Sequence, residues 1–84
     1  MEFPQYRKYP NDKSFFRIES PEAFTELKRM GSKHYSIHHQ RAEIPPDRMY
    51  IMDMLQMQDA HWVISTQSEF ETHLRECEEN GILF

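Results

Sequence analysis

The chain has 84 residues, enough for one domain with a modest core, because a domain this small buries little more than ~60% of the surface that its unfolded chain exposes. Hydrophobic residues make up 38% of the chain and charged residues 29%, a composition that excludes an intrinsically disordered protein. The net charge of −4 does not favour general binding to nucleic acid. It is unevenly spread: residues 1–42 carry eight Lys or Arg against five acids, and residues 43–84 carry two against nine.

The cysteine count and the hydropathy pattern indicate a cytoplasmic protein. Cys77 is the single cysteine, so the chain cannot form an internal disulfide, which suits a reducing compartment. The first residues lack a basic segment followed by an apolar one, and no apolar run approaches the ~18 residues of a membrane span. We therefore expect neither export nor a membrane segment.

The first elements are predicted to be a hairpin and a helix. Residues 4–9 and 14–19 read as strands on either side of a run of turn-forming residues. Ser20 is a good N-cap, and the following Pro21 suits a first helical position. With Gly31 as the C-terminal stop, these signals predict a helix over residues 21–30.

Two strands are predicted next. Residues 33–43 alternate in the way of a half-buried strand, and the prolines at 45 and 46 then interrupt the chain. Residues 49–55 are apolar at nearly every position, which predicts a central strand covered on both faces.

The last part of the chain is predicted to be a strand and a helix. Residues 60–65 read as a strand, and Thr66 to Glu69 then form a capping box. Phe70 and Leu74 follow at helical spacing, which predicts a helix over residues 67–79.

A short pattern occurs twice in the chain, 46 residues apart. Residues 16–24 align with residues 62–70, so that an aromatic residue, an Ile, a hydroxyl residue and a Phe recur at the same offsets. We interpret the chain as a single domain, residues 1–84, with a pseudo-repeat of two β-β-α units at about 4–31 and 48–80.

These elements predict an α+β two-layer sandwich in the order β-β-α-β-β-β-α. A mainly antiparallel sheet of about five strands would carry both helices on one face. The other face would then be open and apolar, and exposed apolar surface of this kind usually marks association. We expect a homodimer or another protein partner at this face, with four candidate residues: Phe15, Arg17, His61 and Val63.

Two groups of residues resemble chemical sites at first sight. His34, His38 and His39 form one group, but on a strand His34 and His38 lie about 13 Å apart and His38 and His39 point to opposite faces, so a metal site is not expected. His73 and Cys77 lie one helical turn apart, like a base and its nucleophile. Because several glutamates surround Cys77 near a helix C-terminus, we expect an unreactive core cysteine.

The central apolar segment contains two further features. Asp53 needs a partner there, and Arg17 or Arg48 could provide it in a structural role. The methionines suit a core or a dimer interface, and a partner or ligand groove is the alternative. They are Met49, Met52, Met54 and Met57.

Enzymatic activity has little support in the sequence. Gly31 and Gly81 are the only glycines, and both follow predicted helices, so the chain has no phosphate-binding glycine loop. We expect a non-enzymatic association domain without a cofactor. One alternative is a ligand-binding or catalytic module formed at a dimer interface. The other is binding of single-stranded nucleic acid by the basic, aromatic N-terminal hairpin, through Tyr6, Arg7, Lys8, Tyr9, Lys13 and Arg17.

Overall fold

A computed structural model describes residues 2–31, 34–57 and 62–80. Five strands form one sheet: β1 (Gln5–Lys8), β2 (Ser14–Ser20), β3 (Ala23–Arg29), β4 (Tyr35–Arg41) and β5 (Val63–Ile64). The helices are α1 (Pro45–Gln56) and α2 (Gln67–Asn80). The sheet order is β4-β3-β2-β1-β5, and all neighbours are antiparallel. The predicted α+β class, with a five-stranded antiparallel sheet and two helices, is confirmed. Neither helix in the described ranges has the length and apolar character needed to cross a bilayer.

The predicted helix over residues 21–30 is wrong, because this segment is strand β3. Residues 20–22 form the turn between β2 and β3, and the Ser20 hydroxyl accepts a hydrogen bond from the backbone N–H of Glu22 at 3.0 Å. Serine and proline favour a turn as well as a helix start, for the same local reasons. The alternation in β3 decides the outcome, since Phe24 lies on one face of the sheet and Leu27 on the other.

The predicted strand over residues 49–55 is also wrong, because this segment lies in helix α1. Ile44 before it is extended, the geometry favoured for a residue that precedes a proline. The prolines then start a helix, since the first turn does not need their missing N–H groups. The buried residues Ile51, Met54 and Leu55 have helical i, i+3, i+4 spacing.

These two corrections change the predicted repeat. Residues 4–31 contain three strands, and residues 48–80 contain α1, β5 and α2. The two segments therefore do not share a β-β-α arrangement.

The two helices lie on opposite faces of the sheet, and not on one face as predicted. Phe15 and Phe16 are neighbours in β2 and both are buried, so their rings lie on opposite faces. We call these the α1 face and the α2 face. The core cluster between the sheet and α1 contains Phe16, Ile18, Phe24, Ala42, Ile51, Met54, Leu55 and Trp62. The core cluster between the sheet and α2 contains Phe15, Leu27, Tyr35, Phe70 and Cys77.

Arg7 in β1 fastens the C-terminal end of α1 to the sheet. Its side chain is only 7% exposed. Nε donates to the Met54 carbonyl at 3.0 Å, and one terminal nitrogen donates to the Leu55 carbonyl at 3.3 Å and to Gln5 Oε1 at 2.9 Å. Carbonyls at a helix C-terminus favour a cation. Burial lowers the pKa of Arg7 from its usual value.

The predicted helix over residues 67–79 is confirmed as α2, and its N-terminus is held by several polar contacts. The Thr66 hydroxyl accepts from the Glu69 backbone N–H at 3.1 Å. The Glu69 carboxylate accepts from the Ser65 hydroxyl and from Lys8 Nζ in β1, the latter at 2.9 Å. The Ser65 hydrogen bond, followed by Lys8, lowers the pKa of Glu69.

We predict that Arg7→Ala destabilises the protein by about 2 kcal/mol or more, because it leaves the buried Met54 and Leu55 carbonyls without their donor. Urea denaturation followed by circular dichroism measures this change. Arg41 is exposed in β4 and provides the control, since Arg41→Ala should change the free energy of unfolding by less than about 0.5 kcal/mol. Equal effects of the two substitutions would contradict the role given to Arg7.

Candidate functional site

The α2 helix covers the sheet face that the sequence predicted to be open. Phe15 is 1% exposed, and its ring stacks on His73 of α2 with a centroid distance of 4.0 Å. Arg17 is half-buried, and its guanidinium lies 5.1 Å from the centroid of the Phe70 ring. Phe15 is therefore buried beneath α2, and Arg17 lies half-buried against it.

The other two residues of the predicted face lie elsewhere. Val63 is exposed in the edge strand β5, opposite Lys8 of β1. Ile64 beside it is also exposed and lies opposite Arg7, on the α1 face of the sheet edge. His61 lies outside the described residues. Of the predicted set, Val63 is thus the residue that the structure leaves on the surface.

The outer face of α1 is the largest exposed apolar feature of a helix in the described residues. Pro45, Met49 and Met52 follow one another at spacings of four and three, so they lie on one side of α1. We call these three residues the methionine stripe. Met49 is 65% exposed and Met52 is 39% exposed, and Ile44 just before the helix is also exposed.

The sequence indicates Met49 and Met52 as candidates for a core or an interface, but the predicted strand over residues 49–55 hides the face that they share. A strand would have placed Met49 and Met52 on opposite faces, whereas a helix places them together. The signal that could have found the stripe is the proline pair read as a helix start, followed by the i, i+3 spacing of the methionines. The remaining methionines pack on the α1 face of the core, where Met54 is buried and Met57 is partly buried.

A polar cluster lies between α2 and strand β4. The Tyr35 hydroxyl donates to Glu76 Oε1 at 3.3 Å and lies 2.8 Å from His73 Nδ1, where the imidazole tautomer sets which group donates. Burial, followed by the positive charge of Arg29, lowers the pKa of His73. Burial raises the pKa of Tyr35. Both shifts favour the neutral forms of the two groups, and the Tyr35 hydroxyl joins β4 to His73 and Glu76 of α2.

Cys77 is a buried residue of the same side of the core, as predicted. Burial, followed by the charge of Glu78, raises the pKa of its thiol. A thiol kept protonated in this way is a poor nucleophile. His73 directs its Nδ1 at Tyr35, so the structure gives the predicted His73 and Cys77 pair a packing role on α2.

Two of the histidines considered as metal ligands lie beside hydroxyl groups of the sheet. His39 Nδ1 lies 2.9 Å from the Thr25 hydroxyl, and His38 Nε2 lies 3.0 Å from the Ser36 hydroxyl, on opposite faces of β4. Among the described residues, no three His, Cys, Asp or Glu side chains are grouped so as to hold a metal ion.

The predicted partners of Asp53 bind other carboxylates. Arg17 pairs with Glu19 and Arg48 pairs with Glu22, both at 3.3 Å. Asp53 itself is half-buried on α1, beside the methionine stripe.

The aromatic and basic residues of the N-terminal hairpin are used inside the fold. The Tyr6 ring packs against Phe70 at 5.7 Å, and the Tyr9 ring packs against Phe16 at 5.3 Å. Lys8 binds both Asp12 and Glu69 at 2.9 Å. Lys13 is the member of this set that is exposed.

The methionine stripe is therefore the candidate functional surface. It is apolar and exposed, and it lies on a helix whose opposite side is already packed against the sheet. Comparison with known protein families, with curated proteins and with solved structures found no match.

We predict that the protein loses stability as the pH falls from about 8 to 5.5, because of His73. Its pKa is lowered in the folded state, so below the ordinary value of about 6.5 the unfolded chain binds a proton that the folded chain resists. The free energy of unfolding measured in urea should therefore decrease over this range. Glu69 affects the free energy of unfolding only at lower pH, because its stabilising contribution is lost as the pH falls below 4.5.

The variant that tests this assignment is His73→Gln, which keeps a polar side chain but cannot titrate. Its unfolding free energy should depend less on pH between about 8 and 5.5 than that of the parent protein. An unchanged pH dependence would show that His73 is not the group responsible.

We predict that the Cys77 thiol of the native protein reacts slowly with a disulfide reagent at neutral pH. The thiol is buried and its pKa is raised, so both access and thiolate fraction are low. The absorbance change on labelling measures the rate, and the protein unfolded in urea provides the control. Equal rates for the folded and unfolded protein would contradict the buried position.

Proposed function

We propose that the protein is a non-enzymatic domain that acts by association with a second copy of itself through the outer face of α1. The observation that carries the proposal is that α1 is apolar on both sides. Ile51, Met54 and Leu55 pack on the sheet, while Met49 and Met52 face solvent. A helix with a second apolar side has two surfaces that favour burial, although charged residues separate them.

The contrast with α2 supports this choice of surface. The inner side of α2 packs on the sheet through Phe70 and Cys77. Its exposed residues include Glu71, Arg75 and Glu78, a charged surface that water solvates well. The α2 helix is thus an ordinary amphipathic helix, and α1 is the helix with an uncovered apolar side.

The register of α1 favours a second copy as the occupant. Residues 45, 49, 52 and 56 are spaced by four, three and four, which is the spacing of the a and d positions of a coiled coil. Arg48 and Asp53 lie on the two flanks of this series, at the positions called g and e. In a parallel pair of identical helices, Arg48 of each copy faces Asp53 of the other, so the surface is complementary to itself in charge.

Arg48 is available for this exchange. Its contact with Glu22 is 3.3 Å long, and the side chains are 60% and 55% exposed, so the contact contributes little to stability. The stripe is short, because α1 has only 12 residues. We therefore expect a weak dimer that dissociates on dilution.

The alternatives have less support. Nucleic-acid binding by the hairpin would need rings and cations that face solvent, but Tyr6 and Tyr9 pack on other rings and Lys8 is paired with acids. A catalytic or ligand-binding module at the dimer interface would have to use Asp53, which lies beside the stripe.

We predict that the double substitution Met49→Glu with Met52→Glu abolishes self-association, because two carboxylates would have to be buried at the contact. Sedimentation velocity from low micromolar to millimolar protein measures the monomer and dimer populations. Met30→Glu is the matched control, since Met30 is 55% exposed outside α1 and should leave the dimer intact. Val63→Glu tests the edge strand β5 in the same way, and it too should leave the dimer intact.

Charge exchange tests the helix register. Arg48→Asp or Asp53→Arg alone should weaken the dimer, and the two substitutions together should restore it. A parent protein that stays monomeric at millimolar concentration would overturn the proposal, as would a dimer that survives the two glutamates.

A further inference from the structure

An open cavity of about 460 Å³ lies at one end of the β2 and β3 ladder, away from the methionine stripe. It is lined by Lys13, Arg29, Met30 and Gly31. Lys13 immediately precedes β2, and Arg29 is the last residue of β3. Two cations thus line a cavity that has a volume suited to a small molecule.

The two cations are cross-strand neighbours. The backbone N–H of Arg29 donates to the Lys13 carbonyl at 2.8 Å, which extends the ladder one residue beyond the Ser14 and Lys28 pair. Side chains opposite each other in a ladder project from the same face. A bound anion could therefore contact both cations at once.

Internal contacts hold Arg29 in position. Its guanidinium lies 5.9 Å from the centroid of the Tyr35 ring, a cation–π contact with a ring that is itself fully buried. A side chain held in advance loses less conformational entropy when a ligand binds. Asp12, next to Lys13 in the chain, is bound by Lys8 at 2.9 Å.

The other two lining residues are Met30, which is apolar, and Gly31, which has no side chain. Met30 is 55% exposed, and its backbone N–H donates to the His34 carbonyl at 2.7 Å, which fixes the backbone at this point. Apart from the chain neighbours of Gly31, no atom of the described residues lies within 4 Å of the position that a Cβ there would occupy. An apolar group of modest size can therefore lie beside the two cations.

We propose that this cavity binds a small organic anion. Its carboxylate or phosphate group contacts Lys13 and Arg29, and its apolar part lies against Met30. Charge-assisted hydrogen bonds to the cations supply most of the affinity, and the thioether side chain selects anions that carry an apolar group.

Nuclear magnetic resonance titration with phenyl phosphate at constant ionic strength tests the proposal. The backbone amide signals of Arg29, Met30 and Gly31 should shift and saturate. Inorganic phosphate should bind more weakly, and neutral benzyl alcohol should cause no saturable shift at these residues. Absence of saturation with phenyl phosphate would overturn the proposal, and equal affinity for inorganic phosphate would overturn the contact with Met30.

Lys13→Met and Lys28→Met form a matched pair of variants, because each removes one positive charge from an exposed side chain. Lys28 precedes Arg29 in β3 and projects from the opposite face of the sheet. Lys13→Met should weaken phenyl phosphate binding roughly tenfold, while Lys28→Met should leave it unchanged. Equal weakening by both variants would mean that general charge attraction holds the anion, and would overturn the site.

Discussion

The two adjacent phenylalanines of β2 impose the constraint on which the rest of the architecture depends. Phe15 and Phe16 are 1% and 0% exposed. Successive side chains of a strand project to opposite faces, so the sheet must be covered on both sides to bury both rings. Each face receives one helix: α1 covers Phe16 and its neighbours, and α2 covers Phe15. A single 84-residue chain thus builds two small clusters on either side of one sheet.

This division leaves the two helices in different situations. Polar contacts hold both of them, through Arg7 at the end of α1 and through Glu69 and Tyr35 along α2. The solvent side of α2 is charged, as is usual for a helix on a protein surface. The solvent side of α1 carries Met49 and Met52 instead. Among the described residues, a helix therefore packs on each face of the sheet, and exposed apolar side chains lie on the outer side of α1 and on the edge strand β5. The proposed dimer would give α1 the second apolar contact that α2 does not need.

Local sequence patterns predicted correctly the elements whose signals fit only one type of secondary structure. The alternation around residues 33–43 and the capping box before residue 67 each matched one structure, β4 and α2. Residues 20–22 carried signals shared by a helix start and a hairpin turn, and the pairing of β3 with two neighbouring strands decided between them. Residues 49–55 are apolar in a way that suits a buried strand and a buried helix equally. Of the predicted face, Val63 is exposed on the edge strand, while the burial of Phe15 depends on where α2 lies.

The sequence by itself determined the class of the protein. Its composition indicates one folded domain, its alternating segments an antiparallel sheet, and its last capping box a helix, because these features depend on residues near each other in the chain. Only the tertiary structure decided which face each helix covers, which methionines meet solvent, and that Lys13 and Arg29 line the same cavity. Contacts of this kind join residues far apart in the chain. They follow from burying both faces of the sheet at once, a condition that no local pattern contains.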